Sequence, residues 1–407
     1  MEKDKDGNLT YRISQRDGVA LNEYKSAKKQ SKFDWEILEG DNKFQTFIEI
    51  SEEESDNKDG ITAEEVLINI AKIWKEADIR FGAKTTRGFG KICNVEIIRK
   101  SFNFLKNRED EKEASIEDWL DFDVFDKDSW KNSISYNKMT ESLEENKEKG
   151  SIREWIIKKK NVLSLKLRLE GGISIRRYST QCSDEDSSPD QEQMTTIKLK
   201  DEKSIEEVAV IPGTTWAGAI GHRMEELIKN SKIVEFKSDD NAIQIYHYFG
   251  AANDNDKEKS LICFGESKLT GGEFKTISRN AIDRFLGSTA EGALFTEKIY
   301  IGGETTLEIG FLDPYNTAVS YTEKFIMALA AALTDLHEGY LAIGGATSVG
   351  RGIFSITHIN EKELDIVKAE NEIKAENNSI VFDKLYNTLK TLIGKKEAED
   401  GKHTSQT

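Results

Sequence analysis

GAKTTRGFG at residues 82–90 and GGATSVGRG at residues 344–352 are the stretches on which the reading of this fold turns. Both read glycine, five residues, glycine, one residue, glycine. Their surroundings repeat as well. Helix-like AEEVLINIAKIWKEADIR precedes the first loop and strand-like KICNVEII follows it, while EKFIMALAAALTDLHEGY and IFSITHI flank the second. Upstream, ISQRDGVAL at 13–21 matches ISRNAIDRF at 277–285, and FDWEILEGDNKFQTFIEI parallels FTEKIYIGGETTLEIGFL. A repeat of this length sets the architecture before any local feature does, so the chain reads as two copies of one domain.

The copies are unequal. The second begins about a hundred residues ahead of its ISRNAIDR segment, with strand-like VLSLKLRL at 162–169, whereas the first has twelve residues ahead of ISQRDGV. We therefore expect residues 1–100 to hold the C-terminal half of a domain and residues 158–360 a complete one. Between them, 101–157 is charged but carries Trp119, Phe122, Phe125 and Trp130, which points to a partly helical connector that packs on something. Residues 361–407 read as a helix through VFDKLYNTLKTLI followed by a polar, disordered tail. Thr62 followed by Glu65 has the spacing of a capping box at a helix start.

A chain of 407 residues is long enough for two or three domains, and 37% hydrophobic with 32% charged residues fits a globular protein. No apolar run approaches the roughly 18 residues of a membrane span, and the first twenty residues lack the apolar core of a secretory signal, so a cytoplasmic protein without membrane contact is expected. Cys93, Cys182 and Cys263 are odd in number and widely spaced, fitting structural thiols better than a disulfide framework or a zinc site. His222, 247, 337, 358 and 403 show no ligand spacing, so no resident metal cage is expected. A net charge of −16 argues against a protein that coats nucleic acid over its whole surface. It leaves room for a local groove, since cations gather at Lys158, Lys159 and Lys160 and at Arg176 and Arg177.

Glycine is needed where φ is positive or where a ligand approaches the backbone closely, and a loop with three of them offers N–H groups to phosphates. The candidates in the first loop are Gly82, Lys84, Arg87, Gly88 and Gly90, and in the second Gly344, Gly345, Ser348, Gly350, Arg351 and Gly352. A tight helix-to-strand turn accounts for one such loop equally well. Neither loop fits a nucleotide-binding P-loop, because no Gly-Lys-Ser/Thr follows, and neither follows a strand as a dinucleotide fingerprint would. IPGTTWAGAIGHRMEELI at 211–228 is the second motif. With three prolines in the whole chain, Pro212 marks a deliberate helix start, with Thr214 or Thr215 as N-cap and Gly218 and Gly221 available for close packing. Pro212, Gly213, Thr214 and Thr215 at the helix N-terminus, with Arg223 further along the helix, could hold a phosphate, or simply join a strand to a helix.

Together these residues resemble the RAMP superfamily, from which the backbone of type III CRISPR effector complexes is built. VIPGTTWAGAIGHR looks like the family's Pro-Gly-Ser-Ser-x-x-Gly-x-x-R helix start, AIGGATSVGRGIFSI its C-terminal glycine loop, and ISRNAIDRFLGSTAEGALFTEKIYIGG the segment leading into its β-hairpin thumb. The three stand in family order, over residues 161–359 in full and 12–99 as a half-domain. Thr replaces Ser at both positions of the helix start, and Trp216 replaces an aliphatic residue. The resemblance implies an α+β fold of ferredoxin-like, RRM-like βαββαβ domains with hairpin thumbs, residues 283–302 being the thumb of the second copy. It implies antiviral defence in a multi-subunit complex, contact with guide RNA along its backbone, Arg284 included, and pairing of that guide with complementary target RNA. It also raises target cleavage by an aspartate in the loop after the first strand with Mg or Mn, for which YSTQCSDEDSSPDQEQMTTIKL offers Asp184, Asp186 and Asp190. Two other readings stand beside it: a structural subunit without catalysis, and a guide-processing endoribonuclease with His222 as base. A further polypeptide that completes the first copy is the partner this reading adds.

Overall fold

Residues 33–37, Phe-Asp-Trp-Glu-Ile, alternate apolar and polar side chains, and in the computed structural model they lie in a ribbon of β1 (Ile13–Leu21) and β2 (Ala27–Leu38), paired antiparallel from Ile13 opposite Leu38 to Leu21 opposite Ala27. Phe33 and Trp35 stack at 5.1 Å between centroids, and Gly18 on the facing strand lies where a Cβ would collide with both rings. The structure describes residues 2–3, 9–11, 13–21, 27–40, 42–50, 63–76, 79–104, 114–137, 161–177, 189–199, 205–230, 245–252, 257–312, 321–364 and 380–394. Thr62, Lys158, Lys159, Lys160, Cys182, Asp184 and Asp186 lie outside them. The chain divides into two compact units, Met1–Asn42 with Lys84–Phe89 and Asn161–Thr407, and Lys43–Ala83 with Gly90–Lys160.

In the second of these units α1 (Ala63–Glu76) buries Ile68 and Ala71, and β3 (Ile98–Arg99) pairs with β4 (Ile134–Ser135). Between them α2 (Ile116–Leu120) opens with a capping box, Ser115 N–H donating to Asp118 Oδ2 at 2.8 Å and Asp118 N–H to Ser115 Oγ at 3.4 Å. The aromatic residues of the expected connector do pack: Phe122 on Phe102 and Trp130, Phe104 on Trp119, and Phe47 on Phe125 and Trp130. Two segments fall short of their strand-like sequences. KICNVEII at 91–98 is strand only from Ile98, apart from an isolated bridge at Lys91, and residues 42–50 carry no strand. Their counterparts in the second copy both lie against one central strand, and a strand with no neighbour has nowhere to place its N–H and C=O groups.

The larger unit continues with β5 (Asn161–Glu170), β6 (Arg176–Arg177), β7 (Gln191–Gln193), β8 (Thr195–Leu199) and β9 (Ile205–Ile211), then α3 (Gly213–Asn230) and α4 (Ile245–Phe249). β10 (Ile262–Phe264), β11 (Ser267–Lys268), β12 (Glu273–Ile282), β13 (Thr289–Ile301), β14 (Glu304–Phe311), α5 (Glu323–His337), β15 (Ile353–Ile359), β16 (Lys362–Glu363) and α6 (Ile380–Ile393) complete it. The main sheet runs β10-β14-β5-β15-β16, with each of these pairs antiparallel. In β5 the leucines 163, 165, 167 and 169 face inward and Lys166, Arg168 and Glu170 outward, the period-2 pattern of a strand with one wet face. Those leucines share a core with Ile220 and Met224 of α3, Phe325, Leu329 and Leu333 of α5, and Leu385 and Leu389 of α6. Each such side chain contributes about 1.5–3 kcal/mol of burial, an upper estimate.

A second sheet runs β12-β13-β7-β6, with β7 parallel to β13. β12 and β13 form a long hairpin from Glu273 opposite Ile301, so the thumb-like element begins ten residues before 283 and includes the strand that the resemblance left out. The fold is α+β. Helix α3 also starts earlier than expected: Gly213 is its first residue, and Thr215 and Trp216 donate to the carbonyl of Pro212 at 2.9 and 3.2 Å, so neither threonine is the N-cap. Gly221 packs under the Phe249 ring, whereas Gly218 faces open space.

Candidate nucleic-acid interface

The two glycine loops have one backbone. Gly82 and Gly344 have φ of 86° and 92°, Lys84 and Ala346 are left-handed at 56° and 55°, and Gly88 and Gly350 stand at 94° and 83°. Between them Thr85–Arg87 and Thr347–Val349 each make one 3₁₀ turn. Phe81 N–H donates to Gly90 O, and Ile343 N–H to Gly352 O, both at 2.9 Å. At Gly90 and Gly352 a Cβ would run into the same carbonyls, of Phe81 and Ile343, which is why only glycine closes either loop.

The second loop does not present bare donors throughout. Gly345 N–H goes to Ser174 O at 2.7 Å, Gly350 N–H to Thr347 O at 3.1 Å and Gly352 N–H to Gly172 O at 2.8 Å, so these three are engaged inside the protein. Arg351 turns inward too. It is 6% exposed and pairs at 2.7 Å with Glu297 of β13, which is 3% exposed and also pairs with Arg279 of β12 at 2.7 Å. Burial pushes the Glu297 carboxyl up, but the Arg351, Arg279 and Arg176 guanidinium groups outweigh it and hold it below the ordinary range. Three arginines around one carboxylate leave net positive charge, and its open side is formed by Arg176, which is exposed beside Gly345, and Arg279. Arg177 donates to Thr195 Oγ1 at 3.3 Å. Arg279 was not among the sequence candidates; its place opposite Phe295 in the β12–β13 register, beside Glu297, is the signal.

The first loop is docked. Arg87 donates to Phe249 O at 2.8 Å, Ser260 Oγ at 3.3 Å and Ile262 O at 3.4 Å, and burial lowers its pKa. Gly213 sits against the carbonyls of Arg87 and Phe264, with no room for a Cβ. Pro212 and Gly213 are buried, so the start of α3 meets the loop, and only Thr214 among the four candidates is exposed. Lys84 Nζ lies 3.2 Å above the Trp35 ring and 4.8 Å from that of Phe33, and burial lowers its pKa. Arg223 is committed as well, to Asp335 at 2.8 Å and Glu226 at 2.9 Å. His222 Nδ1 stands 3.4 Å from the same Glu226, one helical turn away.

The tip of the β12–β13 hairpin is assembled by Asp283, whose Oδ1 accepts Phe285 N–H at 2.7 Å and Leu286 N–H at 3.1 Å while its carbonyl accepts Gly287 N–H at 2.9 Å. The bonds from Leu286 and Phe285 hold the Asp283 carboxyl below its ordinary range. What the turn displays is Phe285 at 99% exposure and Leu286 at 79%, with Arg284 between Asp283 and Phe285. The two apolar residues were missed in the sequence because hydrophobic residues count toward a core by default; an Asp-x-x-x-Gly turn around them was the available signal.

Of the candidate acids, Asp190 alone is described. It is exposed, and its Oδ2 accepts Thr296 N–H at 2.7 Å and Thr296 Oγ1–H at 3.2 Å, tying it to the hairpin. Among the described residues no three His, Cys, Asp or Glu side chains converge, so Asp190 by itself does not make up a divalent-cation site.

This arrangement defines an α+β protein with an arginine cluster midway along a hairpin and two exposed apolar residues at its tip. The RAMP superfamily model matches residues 198–355, which span α3, the hairpin and the second glycine loop. The match covers less than half the chain and supports membership of that superfamily. No curated protein matches the chain. No helix among the described residues is long and apolar enough to cross a membrane.

Proposed function

We propose that this protein is a backbone subunit of a type III CRISPR effector complex that holds guide RNA by its phosphates and separates bases of the guide–target duplex with the β12–β13 hairpin. The strands and helices β5, α3, β10, β14, α5 and β15, with sheet order β10-β14-β5-β15, read as one ferredoxin-like βαββαβ core. The wet face of that sheet, with Lys166, Arg168 and Glu170, has no aromatic ring among the residues of β5, which favours phosphate contact over base stacking there. The observation that carries the reading is the hairpin itself: an Asp283-braced turn holding Phe285 and Leu286 in water, with Arg176 and Arg279 around Glu297 midway along it. Exposed apolar residues on a rigid tip cost solubility unless they have a partner, and a wedge between bases is such a partner.

The test is binding of single-stranded RNA as a function of salt. Arg176→Ala is expected to weaken binding to all sequences alike and to flatten the log–log salt slope by about 0.7 for each phosphate the protein no longer neutralises. An unchanged slope sinks the assignment. For target cleavage, the proposal assigns the loop that contains Asp186 and Asp190: changing both to Ala abolishes cutting of a complementary target and spares binding, and undiminished cutting removes the loop from consideration. A target left intact by the unaltered protein in its complex selects the structural-subunit reading instead.

A further inference from the structure

The first loop shows what this backbone is used for. Its Gly88 edge is pressed so closely to Gly265 and Glu266 that a Cβ there would collide with the Glu266 nitrogen, its Thr85 carbonyl accepts from Cys263 Sγ at 3.4 Å, and its Arg87 is held by three oxygens next to the start of α3. The second loop has the same dihedral angles, yet a Cβ at its Gly350 would meet nothing within 4 Å among the described residues, and Val349, the counterpart of Arg87, is 62% exposed. Gly88 is glycine both for φ and for contact; Gly350 is glycine for φ alone. One loop is a seated plug and the other is the same plug without its socket.

We propose that residues 346–350 are a docking plug for a different polypeptide, one that presents a strand followed by a Pro–Gly helix start like Ile211-Pro212-Gly213. A second copy of this chain does not qualify, because its own socket is filled by its own residues 84–89. The side chains agree: the occupied socket offers the carbonyls of Phe249 and Ile262 and the Ser260 hydroxyl to a guanidinium, and burying Val349 there would leave these acceptors unpaired. The socket for Val349 is therefore apolar where this one is polar. The inference rests on the repeated backbone and not on RNA binding, so each can fail without the other.

The test places the photo-cross-linker benzoylphenylalanine at Val349 in the complex isolated from cells that produce it, and maps adducts by mass spectrometry. The expected adduct is with another polypeptide, on a peptide that spans a strand and a Pro–Gly helix start. An adduct on RNA, on a copy of this chain, on a peptide elsewhere, or no adduct at all overturns the proposal. Val349→Asp supplies a second readout. It should melt like the unaltered chain, bind the neighbouring polypeptide at least about tenfold more weakly, and leave the RNA affinity of the isolated chain unchanged. Retained partner, or RNA affinity lost in step, counts against the plug.

Discussion

Glu297→Gln changes one oxygen for an NH₂ group and should be the most damaging near-isosteric substitution in the larger unit. The carboxylate is 3% exposed and neutralises Arg351, itself 6% exposed, with Arg279 reaching in from β12. Taking one partner from a buried ion pair leaves an uncompensated charge and costs about 3–5 kcal/mol, against about 0–1 kcal/mol for an exposed pair. Arg279, whose side chain is 40% exposed, supplies the internal comparison: Arg279→Ala is expected at the low end. Because three arginines hold the Glu297 pKa below its unfolded value, its contribution is present above the ordinary glutamate range and is lost as pH falls through the folded value. Urea denaturation followed by circular dichroism should therefore show a large gap between Glu297→Gln and the unaltered chain at pH 7 that closes toward acid. Replacing the pair together, Glu297→Leu with Arg351→Met, should restore most of the loss, since the buried arginine leaves with its carboxylate and Arg279, with its side chain 40% exposed, can reach water. The reasoning fails if Glu297→Gln costs no more than Arg279→Ala at pH 7, or if the gap does not narrow on acidification.

Arg87→Ala removes a donor to three oxygens and should destabilise by about 1.5–3 kcal/mol, measured by urea unfolding; a change within error refutes its role as the anchor of the first loop. Phe285→Ala and Leu286→Ala should leave the melting temperature unchanged, because neither residue is buried, while weakening RNA binding by about 1–3 kcal/mol if a base stacks on the tip, measured by filter binding. His337 Nδ1 accepts Ile356 N–H at 2.9 Å, and burial lowers its pKa, so its contribution is present above the ordinary histidine value and lost as pH falls; His337→Leu should flatten that part of the stability–pH curve.

Much of the fold was legible because it rests on local periodicity. The alternation of VLSLKLRL gave the central strand, and the apolar stripe of EKFIMALAAALTDLH gave a core-facing helix, since side-chain spacing alone fixes which face is buried. Periodicity failed at 91–98 and 42–50, where strand-like sequence meets no neighbouring strand over most of its length. The candidate site was read less well. Arg87, Arg223 and Arg351 look like phosphate ligands in sequence, yet each is held by at least one group distant in the chain, the Phe249 carbonyl, Asp335 and Glu297 respectively, that no local pattern announces.

By itself the sequence determined that one loop occurs twice with glycine at three matching positions, and at all three the backbone has the positive φ that glycine adopts without strain. It also determined the helix start at Pro212, although not its first residue. Only the tertiary structure decided that the first loop is docked against that helix start while residues 348–350 of the second stay exposed, because contact depends on which distant segments meet. The same holds for charge. Which arginines remain available to a ligand is set by the carboxylates and carbonyls that the fold brings beside them, and an arginine already neutralised in the interior has little left to offer a phosphate.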